Sequence, residues 1–362
     1  MNYMNAYEDL RNIPSYYDYS LSFNRDETIF EILKDIQTRE VAEMINKYPQ
    51  QSYFEFRELL GLIYPDMRVV LGSGSEDLIW RINNFILRNK KVGVILPTFY
   101  RIYQTLKEPC FINIPYDINN EVLDICSLRK AINEGKYEAV WITNPNPITG
   151  KGFYASELLN VIEDNKDTLF VVDEASVDSV LDIDRFSILS NSYNLKNLVV
   201  IRTFSKFYGL PGMRLGYASL SEELAECIEN LGQVFPVSSF SIYVAKKILE
   251  QKNLFQDIRR KINHNRDLMI SLLNNTSTLI PYKSLTNTIV IGGHNIQWNL
   301  WQALKDKGIL AFSLDEEKGM LSSNCVRLTI HSGEDSFNYL YNGVKELVCE
   351  LEGVNRAYSM NK

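Results

Sequence analysis

Histidine is scarce in this chain: three residues among 362, at His264, His294 and His331, none near another in sequence. That pattern gives no support to a histidine-based metal centre or a Ser-His-Asp triad, and no metal is expected. Cysteine is also little used. Cys110, Cys126, Cys227, Cys325 and Cys349 are odd in number and widely spaced, which fits a reducing cytoplasmic compartment without disulfides or structural zinc. The start of the chain, rich in Asn, Tyr and Asp, lacks a basic stretch followed by an apolar run, so neither a signal peptide nor a membrane anchor is expected. The charges do not cluster by sign. With 38 Lys and Arg against 45 Asp and Glu, the net charge of −7 offers no face for a polyanion, and nucleic acid is not an expected partner.

What is present is an ordinary globular composition, 45% hydrophobic, in a chain long enough for two domains. Between residues 68 and 219, short apolar runs at 68–71, 92–96, 139–142, 169–172 and 198–201 alternate with longer amphipathic stretches. This rhythm predicts an α/β domain with a mostly parallel sheet, whose strand ends bind ligands. After Ser221 the character changes. Ser221-Glu222-Glu223-Leu224 reads as a helix start, and 239–274 as one long helix or a broken pair. Strands at 286–291 and 326–330 with helices at 298–307 and 336–351 would form a smaller α+β domain.

The most informative segment runs from Arg202 to Tyr217 and contains Thr203-Phe204-Ser205-Lys206 and Met213-Arg214-Leu215-Gly216. It follows the apolar run 198–201, so Lys206 emerges at a strand end beside two hydroxyls. A lysine there can form a Schiff base, while Thr203, Ser205 and the guanidinium of Arg214 can bind a phosphate. A nearby guanidinium also lowers the lysine pKa and frees the amine as a nucleophile. A solvated lysine in a Gly-rich loop is the ordinary alternative for the Ser-Lys dipeptide taken alone.

Four upstream clusters accompany the lysine. Gly72-Ser73-Gly74-Ser75-Glu76 follows a strand and opens a helix, offering backbone N–H groups to an anion, or serving simply as a turn with an N-cap. Phe99, after the next strand, is placed to stack on a flat aromatic ligand or to fill the core. Thr143-Asn144-Pro145-Asn146-Pro147-Ile148-Thr149-Gly150 is a turn that aims two amides from a strand end. Asp173-Glu174-Ala175-Ser176 puts an acidic pair after a strongly apolar strand, where a carboxylate needs a cation; a pyridinium nitrogen would serve.

Taken in this order, the clusters resemble those of fold-type I pyridoxal-phosphate enzymes of the class I/II aminotransferase superfamily. Within it the chain looks most like histidinol-phosphate aminotransferases and their relatives, the threonine-phosphate decarboxylases. The resemblance runs from about Leu21 to the C-terminal helix. It implies a large domain with a mostly parallel seven-stranded sheet flanked by helices, plus a smaller α+β domain. The division expected is 1–35 for an N-terminal arm and part of the small domain, 36–240 for the large domain, and 241–362 for a long connecting helix and the small C-terminal domain. By the same resemblance Lys206 carries pyridoxal 5′-phosphate as a Schiff base and shuttles a proton, and Asp173 pairs with the pyridine nitrogen. Gly74, Ser75, Glu76, Ser205, Arg214 and Thr203 hold the phosphate, and Phe99 covers one ring face. Tyr48, in Lys47-Tyr48-Pro49, matches a tyrosine that reaches the cofactor phosphate of the neighbouring subunit, which implies a homodimer. Arg327, in Cys325-Val326-Arg327-Leu328, matches an arginine that clamps a substrate carboxylate or phosphate.

Several positions depart from the family pattern. In Asn144-Pro145-Asn146-Pro147 a gapless alignment puts Pro147 at the cofactor-binding asparagine, and proline has no donor; Asn146 is expected to take the role, with Asn144 as the fallback. Ser176 replaces a tyrosine that also contacts the ring oxygen. No second arginine precedes Arg327 near Phe312 and Ser313. The N-terminal element carries Asn24 and Arg25 in place of the usual Asn-Glu-Asn-Pro, and both are candidate substrate contacts. The activity expected is amino transfer from an amino acid such as glutamate to a small phosphorylated acceptor, for instance imidazole acetol phosphate or dihydroxyacetone phosphate giving serinol phosphate. Decarboxylation of phosphoserine or phosphothreonine is the alternative. A non-catalytic ligand-binding domain of a transcription regulator is less expected, because no DNA-binding segment is apparent.

Overall fold

The computed structural model describes residues 18–34, 36–49, 53–63, 68–190, 195–276, 278–293, 299–315, 317–320 and 324–360. Residues 1–17 of the expected arm, together with His294 and Trp298, lie outside them. Seven strands form the large sheet: β1 (Val69–Ser73), β2 (Val92–Leu96), β3 (Pro109–Asn113), β4 (Ala139–Thr143), β5 (Leu169–Asp173), β6 (Leu198–Thr203) and β7 (Leu215–Ser219). Their order is β1-β7-β6-β5-β4-β2-β3, and only β7 runs antiparallel to its neighbours.

The apolar runs read from sequence are the central strands, because both faces of the sheet are covered. Val140, Phe170, Val172, Leu198 and Val200 face a core built with the helices Ile125–Gly135, Ala155–Asp164, Ser239–Glu250 and Lys252–Asn274. Trp141, Val171, Val199 and Ile201 alternate with them and face the helices Gly74–Arg81 and Glu222–Leu231. Two strands of this sheet escaped the sequence reading, as did the short strands Leu279–Pro281 and Phe312–Ser313 of a second sheet. β3 is a half-exposed edge strand that starts with proline. β7, Leu-Gly-Tyr-Ala-Ser, holds small residues because it lies against a helix start: a Cβ on Gly216 would stand 2.7 Å from Ser75 N and 2.8 Å from Gly74 C.

A second, antiparallel sheet of order β10-β11-β9-β8 comprises β8 (Leu279–Pro281), β9 (Thr288–Gly293), β10 (Phe312–Ser313) and β11 (Cys325–Thr329). It has its own apolar core with the helices Leu300–Asp306 and Glu334–Met360, and Tyr19 is buried in that core. The stretch 239–274 is a broken pair of helices, interrupted at Gln251.

Candidate functional site

The parallel strands deliver their carboxyl ends to one edge of the large sheet, and the antiparallel β7 begins there. Ser73 pairs with Leu215 and Thr203 with Gly216, so Arg214, just before β7, stands between the ends of β1 and β6. Gly74 opens the helix Gly74–Arg81 with φ +77°, and a Cβ on it would come within 2.6 Å of Arg214 Nη2. The first-turn N–H groups of that helix have no intrahelical partners and, with the exposed guanidinium of Arg214, form a cradle for an anion. Arg214 itself is anchored on Pro211 O (3.2 Å) and Ser73 O (3.3 Å). Ser205 Oγ lies 3.0 Å from Thr203 Oγ1 on the same side. Thr203 is buried and also bonded to Leu215 O, so it braces the loop, whereas Ser205 is partly exposed. Glu76 turns its carboxylate to Arg101 Nε at 2.7 Å, which leaves its backbone N–H as its contribution to the cradle.

Lys206 is partly exposed and donates from Nζ to Leu21 O at 3.0 Å, while its own carbonyl accepts from Asn24 N. Burial away from solvent, followed by the charge of Arg327, brings its pKa down to about 8, with Asp173 opposing and Arg214 assisting. Asp173 ends β5 in register with Ile201 of β6 and Thr143 of β4. It is 5% exposed, its Oδ1 accepts from Ala175 N (2.9 Å), and Oδ2 has no protein donor among the described residues. Burial raises its pKa to about 6 despite the pull of Lys206. A carboxylate so placed is suited to a ligand cation or N–H.

Glu174, the second acid of the pair, is structural. It is fully buried and accepts from Arg202 Nε (2.9 Å), Ser187 Oγ (2.9 Å) and Ile188 N (2.7 Å); Asp178 takes Arg202 Nη1 at 2.8 Å. This network holds the loop that follows Asp173. Ser176 on that loop is buried, and its hydroxyl has no bond among the described residues. Phe99 is half-buried at the end of β2, edge-on to Tyr100 with ring centroids 5.1 Å apart. Arg327 on β11 is 3% exposed, lies over Phe312, and donates to Pro147 O (3.1 Å) and Ser20 O (2.6 Å). It therefore joins the N-terminal segment to the turn after β4.

Two expectations need correction. Asn146 has no free donor: its Nδ2 bonds Pro97 O and Thr143 Oγ1, and its Oδ1 accepts from Ile148 N and Thr149 N. The fallback, Asn144, is spent likewise on Phe153 and Phe186. Both amides hold the turn in shape. Asn24 is 1% exposed, and its side chain exchanges hydrogen bonds with Ser332, so it ties the N-terminal segment to the end of the second sheet. Arg25 keeps its place as a candidate contact: its guanidinium lies 4.9 Å from the Phe23 ring, and its Nη1 is buried without a hydrogen-bond partner among the described residues. Tyr48 is 84% exposed and stacked on Phe235. It lines a groove of about 450 Å³ with Met44, Phe56, Ile242 and Tyr243, and no residue of the Lys206 cluster contributes to that groove. Glu317 was missed by sequence reading. It has no motif, and it reaches the neighbourhood of Arg327 only because the turn after β10 folds back.

No described helix is long and apolar enough to cross a membrane, and no described group of His, Cys, Asp and Glu is arranged to hold a metal ion. The chain is 27% identical over 356 residues to the histidinol-phosphate aminotransferase of Thermoanaerobacter sp. strain X514, covering 94% of this chain and 98% of that protein. Its fold is similar to that of the histidinol-phosphate aminotransferase of Sinorhizobium meliloti in complex with pyridoxal-5′-phosphate (TM-score 0.79, 19% identity, 96% and 94% of the two chains). It is similar as well to the L-threonine-O-3-phosphate decarboxylase of Porphyromonas gingivalis (TM-score 0.72, 19% identity, 91% and 98%). The sequence profile of aminotransferase class I and II matches residues 17–340, which is most of the chain; with Lys206, Asp173 and the Gly74–Arg214 cradle gathered at one sheet edge, this protein belongs to that family.

Proposed function

We propose that this protein transfers an amino group from an amino acid such as glutamate to a small phosphorylated carbonyl compound, with pyridoxal 5′-phosphate as cofactor. The observation that carries this reading is the convergence of an amine of depressed pKa, a buried carboxyl with a free oxygen and an anion cradle on one sheet edge. The fit is specific to a phosphorylated ring. The cradle at Gly74 leaves no room for a side chain beside Arg214, and Asp173 keeps Oδ2 for a ring N–H. When bound, the cofactor supplies an aldehyde for an amine to condense with and a ring that withdraws electrons from the carbon next to the transferred nitrogen.

The protein's own groups do the rest. Gly74, Ser75 and Glu76 would hold the phosphate through their N–H groups, Ser205 through its hydroxyl and Arg214 through its charge, with Thr203 bracing Ser205. Asp173 would hold the ring nitrogen, Phe99 would cover one ring face, and Ser176 would face the ring oxygen. Lys206 Nζ would anchor the cofactor and then move a proton on and off the substrate α-carbon. Arg327 would orient the substrate carboxylate or phosphate. The active unit is read as a cytoplasmic homodimer, with Tyr48 of the partner subunit completing the phosphate site; the exposed Tyr48 and its groove support an interface there. The division at 1–35, 36–240 and 241–362 draws support from the separate core of the second sheet, which includes Tyr19, while Ile29 and the helix Ser239–Glu250 pack on the core of the large sheet.

Purified protein supplied with pyridoxal 5′-phosphate is expected to absorb in the visible region. Borohydride is expected to leave a pyridoxyl adduct on Lys206, and Lys206→Ala to abolish both. An adduct elsewhere defeats the reading. Glutamate should bleach the visible band, and release of carbon dioxide from phosphoserine or phosphothreonine would instead make the protein a decarboxylase. Sedimentation should find a dimer; a monomer would remove Tyr48 from the site.

A further inference from the structure

Lys151 is 0% exposed, a burial that lysine reaches only when its ammonium is fully partnered, and it has no role in the reading above. Its Nζ donates to three main-chain carbonyls: Asn120 O, Lys283 O at 3.2 Å and Ile118 O at 3.5 Å. Residues 118–120 belong to the connection between β3 and the helix Ile125–Gly135, and Lys283 to the connection between β8 and β9. Lys151 itself closes the turn after β4, where its carbonyl accepts from Asn146 N at 2.7 Å. One ammonium therefore ties that turn to segments flanking both sheets. Burial lowers its pKa to about 8, with Asp117 and Glu121 opposing and Lys283 assisting, so the cation is the major form at neutral pH. The Tyr116 ring lies beside it, with its centroid 5.7 Å away.

The joint around Lys151 is tight and continues into the site. Leu285 N donates to Gly150 O (2.8 Å), and Lys283 N to Ile118 O (2.9 Å). A Cβ on Gly150, which has φ +70°, would stand 1.9 Å from Ser284 Oγ. Ile148 of the same turn is buried with Tyr282, Val290, Leu314 and Cys325, which lie on or beside the second sheet. Between Asn146 and Ile148, Pro147 O accepts from Arg327 Nη1 at 3.1 Å. Arg327 Nη2 donates to Ser20 O at 2.6 Å, and Lys206 Nζ donates to the next carbonyl, Leu21 O, at 3.0 Å. Without the ammonium, Asn120 O and Lys283 O would lose a donor inside the joint, and the segments would part to admit water. A displaced turn carries Pro147 O with it, and Arg327 follows Pro147 O.

We propose that Lys151 is a positioning residue: its ammonium, gripped by the carbonyls of Ile118, Asn120 and Lys283, clasps the connection before β9 to the turn after β4 and thereby fixes the guanidinium of Arg327. This rests on the aminotransferase reading, in which Arg327 orients the substrate carboxylate or phosphate. It adds a second requirement for that contact, set by a residue that touches neither substrate nor cofactor.

The test uses the cofactor-loaded protein and two measurements. Calorimetry gives the affinity for α-methylglutamate, which lacks a removable α-proton, and spectroscopy gives the second-order rate at which ordinary glutamate bleaches the visible band. Lys151→Met keeps an apolar stem and removes the donors. Both quantities should fall about tenfold, while cofactor affinity by spectral titration stays within about twofold. In an Arg327→Ala background, adding Lys151→Met should change the bleaching rate by less than about twofold, because the group it positions is already gone. A fall that recurs in full on Arg327→Ala, no fall at all, or a parallel fall in cofactor affinity would overturn the proposal. If circular dichroism shows that Lys151→Met does not fold, Lys151→Gln, with two N–H donors on a shorter stem, takes its place in the cycle under the same criteria. Absence of the visible band or of its bleaching in the wild type would remove the aminotransferase reading and this proposal with it. An intact band and bleaching with additive losses would count against Lys151 alone.

Discussion

Replacing Arg202 with methionine should destabilise the protein more than the loss of any surface charge. The guanidinium is 1% exposed and bonded to Glu174 at 2.9 Å, Asp178 at 2.8 Å and Ser187 Oγ at 2.8 Å. Arg202→Met keeps much of the apolar stem but leaves two buried carboxylates without their cation. Breaking a buried pair from one side costs about 3–5 kcal/mol, against about 0–1 kcal/mol for an exposed pair. The companion variant Arg202→Met/Glu174→Gln/Asp178→Asn removes the stranded charges, and at least half of the loss should return. Urea unfolding of the protein free of bound small molecules, followed by circular dichroism, measures both. A loss below about 1 kcal/mol for Arg202→Met would refute the reasoning, since it would place the pair in the exposed range. So would a triple variant no more stable than the single one. Because Glu174 directly follows Asp173, Arg202→Met should also weaken cofactor binding, and the triple variant should restore part of it.

Gly74→Ala forces a Cβ to within 2.6 Å of Arg214 Nη2 at φ +77°; a stability loss of about 1–2 kcal/mol and a weaker cofactor affinity by spectral titration are expected, and unchanged affinity would exclude the cradle. Asn146→Ala deletes four hydrogen bonds that shape the turn after β4 and should cost at least about 1–3 kcal/mol in thermal or urea unfolding, whereas a change confined to the cofactor spectrum would return Asn146 to ligand binding. The carboxyl of Asp173 titrates near pH 6 when folded, against an ordinary value of 3.8. Between those values the folded protein holds a proton that the unfolded chain has released. Its contribution to stability is therefore greatest below 3.8 and declines as pH rises to 6, by about 3 kcal/mol at about 1.4 kcal/mol per pH unit. Urea midpoints of the cofactor-free protein at pH 4 and pH 7 should show a smaller decline in Asp173→Asn than in the wild type; equal declines would contradict the assignment.

The sequence by itself determined the central strands β2, β4, β5 and β6, because strands buried on both faces read as continuous apolar runs. It also determined which residues end those strands, and so placed Asp173 and Lys206 on one sheet edge through strand direction alone. Local hydrophobic period and short turn motifs carry that much. Only the tertiary structure decided how distant segments meet. The antiparallel entry of β7 between β1 and β6 sets Arg214 against Gly74, residues 140 apart, and no local period encodes that order. The same limit applies to side-chain partners. Asn146 and Asn24 look from sequence like ligand donors, yet their amides are spent on Pro97, Thr143 and Ser332, partners that only the folded chain brings near. A carboxylate, an amide and a guanidinium have fixed chemistry in any sequence, but whether each is already satisfied depends on which neighbours the sheet order supplies.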